Sequence, residues 1–263
     1  MPEGHTVHRI AKRFAKDFRG AAIAVSSPQG RFTDAALISG RELTKSEAWG
    51  KQLFLHFEEL VLRVHLGIYG KWSFESFDLE PPEPRGQVRA RFVNQNLVAD
   101  LRGPTACEVL DQRSAQASMS KLGPDPLRAD PKGLEQQRFL DKVAGSRRPI
   151  GQLLMDQSIL AGVGNVYRAE LLFRAGLSPF ISGSQVTAEQ VSGIWQDSRL
   201  LMPIGVRTGL MLTREGYLSG RPKIADRYYV YKRTGEPCRE CGKPIAMELM
   251  ASRKLYWCPS CQK

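Results

Sequence analysis

The chain has 263 residues, 42% of them hydrophobic, and a formal net charge of +11. That length allows two ordinary domains or one large one, with enough apolar side chains to bury a core. No run of about 18 apolar residues occurs, so no membrane span is expected, and charged residues from Glu3 onward interrupt any apolar signal segment. The excess of Lys and Arg favours a polyanionic partner, nucleic acid before an anionic membrane surface.

The first stretch is Met1-Pro2-Glu3-Gly4. Val7, Ile10, Ala11, Phe14 and Phe18 recur on one helical face, which predicts a helix with Pro2 at its first position, where a missing N–H costs nothing. If Met1 is removed, Pro2 carries a free secondary amine beside the Glu3 carboxylate. An α-amine titrates at about 7.7–8.0 against about 10.4 for Lys, so roughly a third of it is neutral at pH 7.5, against roughly 0.1% of a Lys. The helix N-terminus lowers that amine further, and a neutral amine forms Schiff bases with aldehyde-like carbons. Pro-Glu is also simply good helix-start chemistry.

A β-rich region follows. Ile23–Val25, Glu42–Trp49, Gln52–Phe57, Leu60–Leu66 and Tyr69–Phe74 read as strands, and Val88–Val93 and Leu97–Leu101 as a hairpin across Asn94-Gln95-Asn96. Together they predict a sandwich-like domain closing near residue 112. Lys51 falls in a turn, where a lysine is ordinarily solvated surface. In His65-Leu66-Gly67-Ile68-Tyr69-Gly70 the apolar residues between glycines are either buried core or a wedge offered to a base stack.

Residues 113–133 read as a linker, ending in Leu122-Gly123-Pro124-Asp125-Pro126 and Pro131. Beyond it the period turns helical: Leu134–Ala144, a helix opened by Pro149 and running through Leu154, and one capped by Thr187 with Gln190 and ending near Pro203. In Gly162-Val163-Gly164-Asn165, Asn165 is the expected N-cap of a helix that Gly176 ends. Such a glycine turn is an ordinary helix start or a phosphate site. Residues 205–226 are expected to form a long loop.

Of five cysteines, four lie in the last 26 residues, so metal is favoured over disulfides and Cys107 is left as a buried apolar residue. Cys238-x2-Cys241 and Cys258-x2-Cys261 each supply a pair of thiolates, and the four complete a tetrahedron around one structural Zn²⁺ with no open position. Met247–Met250 and Lys254–Trp257 read as a hairpin with Ser252-Arg253 at its tip. Arg253 there is either a phosphate contact or a solubilising turn residue.

Taken together, MPEG at residues 1–4, Gly50-Lys51, HLGIYG, LGPDP, GVGN and the finger running from GEPCRECG to SRKLYWCPSCQ resemble the Fpg/Nei family of DNA glycosylases over the whole chain. The resemblance implies an α+β fold: an N-terminal catalytic β-sandwich with a flanking helix (1–112), the linker (113–133), a helix-two-turn-helix domain (134–227) and a zinc finger (228–263). It implies Pro2 as the Schiff-base nucleophile, Glu3 as general acid and base, Lys51 as a second catalytic group and Arg253 as the finger arginine. Gly67, Ile68 and Tyr69 as wedge, with Lys121 and Asn165, would bind DNA. The expected partner is double-stranded DNA carrying an oxidised base or abasic site, and the expected protein is a cytoplasmic, nucleoid-associated monomer. Where the endonuclease VIII branch has a Gln-Leu-Tyr type wedge, this chain has Gly67-Ile68-Tyr69. The MPEGHT start and WCPSCQ end lean to that branch and to oxidised pyrimidines, the HLG segment to the formamidopyrimidine and 8-oxoguanine branch. A silent damaged-DNA-binding module would bind without cutting, and a ribbon-bearing adaptor would leave the N-terminus unexplained.

Overall fold

A computed structural model describes residues 2–263, and Met1, with the expectation of its removal, lies outside the described residues. The chain forms two compact units, Met1–Lys121 and Leu122–Lys263. Among the described residues no helix is long and apolar enough to cross a membrane.

The first unit opens with helix α1 (Gly4–Asp17). Val7, Ala11, Phe14 and Phe18 are buried and Ile10 packs beside them, as the apolar spacing predicts. Among the described residues ten strands follow, eight of them here: β1 (Ala24–Ser26), β2 (Lys45–Trp49), β3 (Gln52–Phe57), β4 (Leu60–His65), β5 (Lys71–Ser76), β6 (Val88–Val93), β7 (Leu97–Arg102) and β8 (Ala106–Asp111), with a short helix α2 (Ala35–Ile38) after β1. They pair into two antiparallel sheets, β1-β6-β7-β5 and β2-β3-β4-β8. Leu53, Leu55, Leu62 and Val64 of one sheet and Ala90, Phe92, Ala99 and Leu101 of the other enclose one core with α1. Phe14 joins them through ring contacts with Trp72, Phe74 and Phe92 at 4.9–5.9 Å, each worth about 0.5–1.5 kcal/mol beyond area burial. The Asn94 turn is held by its own side chain, whose Oδ1 accepts from the N–H groups of Asn96 and Leu97.

Two expectations fail here. Tyr69 lies in the turn before β5 rather than in the strand. The polar stretch from residue 113, expected as linker, begins as helix α3 (Gln112–Ser120), capped by Asp111, whose carboxylate accepts from Ser114 N. Its Ala115 and Met119 pack on Phe54 and Val61, a burial that the polar composition hid.

The second unit contains α4 (Leu134–Ala144), α5 (Ile150–Leu153), α6 (Asn165–Arg174), α7 (Ala188–Thr208) and the ribbon β9 (Ala246–Met250) with β10 (Arg253–Trp257). The Thr187–Gln190 capping box is formed. Gly176 ends α6 with φ +65°, while Leu177 N donates to Leu172 O and Gly176 N to Phe173 O. Helix α7 does not end at Pro203 but runs through it to Gly209. Leu201, Met202, Ile204 and Val206 continue the buried face across the proline, and that burial outweighs the lost hydrogen bond. The following loop therefore starts later than expected. It carries a short 3₁₀ turn, Ile224–Asp226.

Candidate active site and metal centre

Glu3, not Pro2, caps α1. Glu3 is extended (φ −119°, ψ −179°), its carbonyl accepts from Thr6 N at 2.9 Å, and Pro2 precedes it half-buried. The expectation of Pro2 at the first helical position is corrected by this: the helix begins one residue beyond Glu3, where the backbone turns. Glu3 is wholly buried, unusual for a carboxylate. Helix α1 lies against β2 and β3. Those strands are joined by the Gly50-Lys51 turn, closed by the Trp49–Gln52 pair, and Lys51 is half-buried rather than solvated.

His65, the partner of Gln52 across β3 and β4, was read only as the start of the wedge segment. It is half-buried, and its imidazole is held below the usual pKa by burial first and by the Lys51 charge second. The neutral ring is thus within electrostatic reach of Lys51. Ile68 and Tyr69 are 48% and 85% exposed, which excludes the buried-core reading of that turn. Lys121 is exposed at the C-cap of α3.

In the second unit the N-cap of α6 is Gly164, and Asn165 is its first helical residue. The expected Asn165 cap is thus corrected: its amide donates to Lys254 O at 2.8 Å instead, and its Oδ1 accepts from Arg168. Arg168 also donates to Lys254 O at 3.0 Å. Helix α6 thereby grips the ribbon one residue from Arg253. The turn tip is Ala251-Ser252, both with positive φ, and Arg253 is half-buried at the first position of β10, paired with Met250, not at the tip. Two consecutive left-handed residues close a two-residue hairpin with the right twist, which leaves no place for Arg253 in the turn itself.

Three further residues hold this region and carried no local sequence signal. Gln157 accepts from Gly162 N and donates to Val163 O, fixing the turn before α6. Its backbone carbonyl accepts from Gly123 N of the LGPDP stretch. Glu170, fully buried, accepts from Thr213 Oγ1 and from three successive backbone N–H groups, Tyr229, Val230 and Tyr231, at 2.6–2.9 Å. Burial pushes its carboxyl above the usual range while those donors pull it down. Gln262 accepts from Cys258 N and donates to Leu177 O, joining the second cysteine pair to the end of α6.

The sulfurs of Cys238, Cys241, Cys258 and Cys261 all lie within 4.8 Å of one another. Cys238 and Cys261 are 3.8 Å apart and Cys241 and Cys258 3.5 Å. A tetrahedral zinc with bonds of about 2.3 Å sets thiolates about 3.8 Å apart, whereas a disulfide needs about 2.05 Å. The donor set therefore fits one Zn²⁺, held by four thiolates in a structural role. Cys107 stands apart in β8, and burial pushes its thiol up to about 12.

Comparison with known proteins defines the class first. Residues 1–115 match the formamidopyrimidine-DNA glycosylase N-terminal domain, residues 122–215 the formamidopyrimidine-DNA glycosylase H2TH domain, and residues 235–263 a zinc finger found in FPG and IleRS. The fold is that of the crystallised MutM (Fpg) protein of Thermus thermophilus, with TM-score 0.79 and 28% identity over 99% of this chain and 98% of that one. Lactococcus lactis Fpg, solved with DNA containing an abasic site, shares the fold with TM-score 0.81 at 21% identity over 99% of each chain. In sequence the chain is 45% identical to endonuclease 8 1 of Mycobacterium bovis over the full length of both, and 31% identical to the formamidopyrimidine-DNA glycosylase of Thermus thermophilus over 100% of this chain and 98% of that one. The chain belongs to the Fpg/Nei family of DNA glycosylases, whose activity is that of a DNA N-glycosylase and AP lyase.

Proposed function

We propose that this protein releases oxidised bases, pyrimidines favoured, from double-stranded DNA through a Schiff base on Pro2. It then cuts the strand by β,δ-elimination at the abasic site. The observation that carries the reading is the buried carboxyl of Glu3 next to Pro2, at the head of a helix packed against the two strands that Lys51 joins. The Pro2 amine attacks C1′, and the base leaves with the glycosidic electron pair and a proton, Lys51 acting in that cleavage; Glu3 then protonates O4′ as the C1′–O4′ bond breaks and the sugar opens to the imine. The resulting imine makes the C2′ proton acidic. Its removal expels the 3′ phosphate, and loss of the C4′ proton then expels the 5′ phosphate, with Arg253 gripping phosphate. Water releases the sugar fragment and returns the amine.

Ile68 and Tyr69 fill the gap left by the extruded nucleotide. Lys121 and Asn165 are assigned to the DNA backbone. Catalysis is assigned to residues 1–112, and DNA binding to 134–227 with the finger 228–263, beyond a linking stretch at 113–133. The preference for pyrimidines rests on the MPEGHT start, the WCPSCQ end and the 45% identity to a protein named endonuclease 8 1. The HLG segment and the 31% identity to a formamidopyrimidine-DNA glycosylase favour the second reading, 8-oxoguanine-type specificity.

Borohydride reduces the imine to a stable amine. Treatment with duplex containing an abasic site or thymine glycol is therefore expected to trap the protein on DNA, and Pro2→Gly or Glu3→Gln to abolish base release. Intact mass reports whether Met1 is gone, since an amide nitrogen cannot attack. No trapped species from protein lacking Met1 would sink the proposal in favour of a silent binding module. A panel of oxidised pyrimidines and 8-oxoguanine separates the two specificities.

A further inference from the structure

Both flanks of Arg253 lead to one residue of α5. Met250, its partner across the ribbon, is buried, and directly paired side chains share a face of an antiparallel ladder with Cβ atoms about 4.5–5.5 Å apart. The half-buried Arg253 stem therefore runs beside Met250, on the face that also buries Leu255. Met250 sits where Gly151 has no side chain. A Cβ on Gly151 would stand 2.9 Å from Met250 Sδ, 3.0 Å from Pro179 O and 3.1 Å from Pro179 Cβ, all inside the roughly 3.5–4.0 Å at which nonbonded atoms rest. Gly151 lies in a helical turn and not at positive φ, so space and not backbone conformation calls for glycine there. The other flank of Arg253 is Lys254, whose carbonyl accepts from Arg168 at 3.0 Å, and the same guanidinium donates to Gly151 O at 3.4 Å. The seat is tied to its surroundings: Gly151 N donates to Pro179 O at 3.0 Å, Ile150 N donates to Ile181 O at 2.8 Å, and Phe180 meets Trp257 of the ribbon edge to face at 5.2 Å.

We propose that Gly151 is a positioning residue for the finger arginine: its missing side chain lets Met250 settle on α5, and so sets where the Arg253 guanidinium stands when it grips phosphate. This role rests on that of Arg253 proposed above. A long side chain free in solvent loses rotamer freedom each time it grips a ligand, whereas a stem already laid along Met250 has lost part of it on folding. The ribbon cannot absorb a displacement of Met250 elsewhere. Ala251 and Ser252 close a two-residue turn at positive φ, and Lys254 O is fixed by Asn165 and Arg168. A Cβ at position 151, with Pro179 behind it, therefore pushes Met250 and with it the Arg253 stem. Misplacing a charge-stabilising group by 1 Å costs up to about 100-fold in rate. The step most exposed to that loss is the second elimination, in which the C4′ proton goes to a base and the 5′ phosphate leaves with the electron pair of its C–O bond while Arg253 grips phosphate.

A duplex carrying thymine glycol, cut by saturating enzyme, separates the β-elimination product from the β,δ-elimination product on a gel. Gly151→Ala is expected to slow the second elimination about fivefold or more relative to the first, with base release changed by less than about twofold. The salt slope of duplex binding is expected to shrink by up to about 1, as one phosphate contact weakens. Zinc content is expected to stay at one per chain. Met250→Ala, which adds no atom to the seat, is expected to act in the same direction. In the double variant the new methyl fills part of the emptied seat, so the loss is expected to be smaller than the product of the two single losses. In an Arg253→Ala background, Gly151→Ala is expected to change neither the product ratio nor the slope further. An unchanged product ratio for Gly151→Ala, or an equal loss with and without Arg253, overturns the proposal. If Gly151→Ala sheds its zinc, Met250→Ala is judged in its place by the same comparison with Arg253→Ala. If Arg253→Ala itself alters neither readout, the reading of the finger arginine fails and this inference with it; if it alters both while Gly151→Ala alters neither, only the role of Gly151 fails.

Discussion

His5 lies in the first turn of α1, two residues beyond Glu3, and burial lowers its pKa to about 4 from 6.5. The folded state thus binds fewer protons than the unfolded state between those values. The stability contributed by a neutral His5 is complete above about pH 6.5 and is lost as pH falls toward 4, a total of about 3 kcal/mol for that gap. Urea midpoints measured from pH 7 to pH 4.5 are expected to fall more steeply for the wild type than for His5→Gln, and parallel slopes would contradict it. The residues legible in sequence were those whose chemistry is local. The cysteines needed only their spacing, whereas Pro2 and Glu3 read locally as a helix start and took a catalytic role only from the resemblance of the whole chain. Glu170, Arg168 and Gln262 were silent because their partners lie about sixty to ninety positions away in the chain, at Tyr229–Tyr231, Lys254 and Leu177.

Among the elements, α7 and the ribbon behave differently from their local propensities. Pro203 inside α7 removes a donor and crowds the carbonyl one turn earlier, yet the helix continues because its apolar face stays buried on both sides. Pro203→Ala is expected to raise unfolding stability by about 1–2 kcal/mol, the recovered helix energy exceeding the extra freedom of the unfolded chain; denaturation that shows no gain would mean that the proline costs the helix nothing here. The ribbon buries little apolar surface of its own and depends on its thiolates. Removal of zinc by a chelator is expected to expose residues 229–263 to protease while the fragment ahead of them resists, one zinc being released per chain. Loss of metal with an unchanged digestion pattern would show that the Glu170 and Gln262 contacts suffice alone. Strands β3, β4 and β6 were readable as short apolar stretches between turns, whereas α3 was missed because only Ala115 and Met119 of a polar stretch reach a core formed by distant strands.

For the molecule as a whole, a net charge of +11 matters more for association than for folding. Binding to undamaged duplex should weaken linearly in log salt, with a slope near −0.9 per phosphate neutralised. Arg253→Ala is expected to reduce the magnitude of that slope by about 1 and to leave thermal stability nearly unchanged. An unchanged slope would remove Arg253 from the phosphate contacts. The two compact units divide after Lys121, nine residues into what composition alone marked as linker, because contacts rather than polarity decide where one core stops.

By itself the sequence determined the class of the protein. Four cysteines at ligand spacing, a Pro-Glu pair before a helical pattern, short apolar strands and a strong positive charge are all features of near neighbours in the chain. Only the tertiary structure decided how those parts are held. It buried Glu3, tied Asn165 and Arg168 to the carbonyl beside Arg253, drew the chain at 229–231 onto Glu170, and set Met250 against Gly151. Each of these pairs residues far apart in the chain through burial and hydrogen bonds that no local pattern encodes, because a side chain's burial is set by what the rest of the fold packs around it.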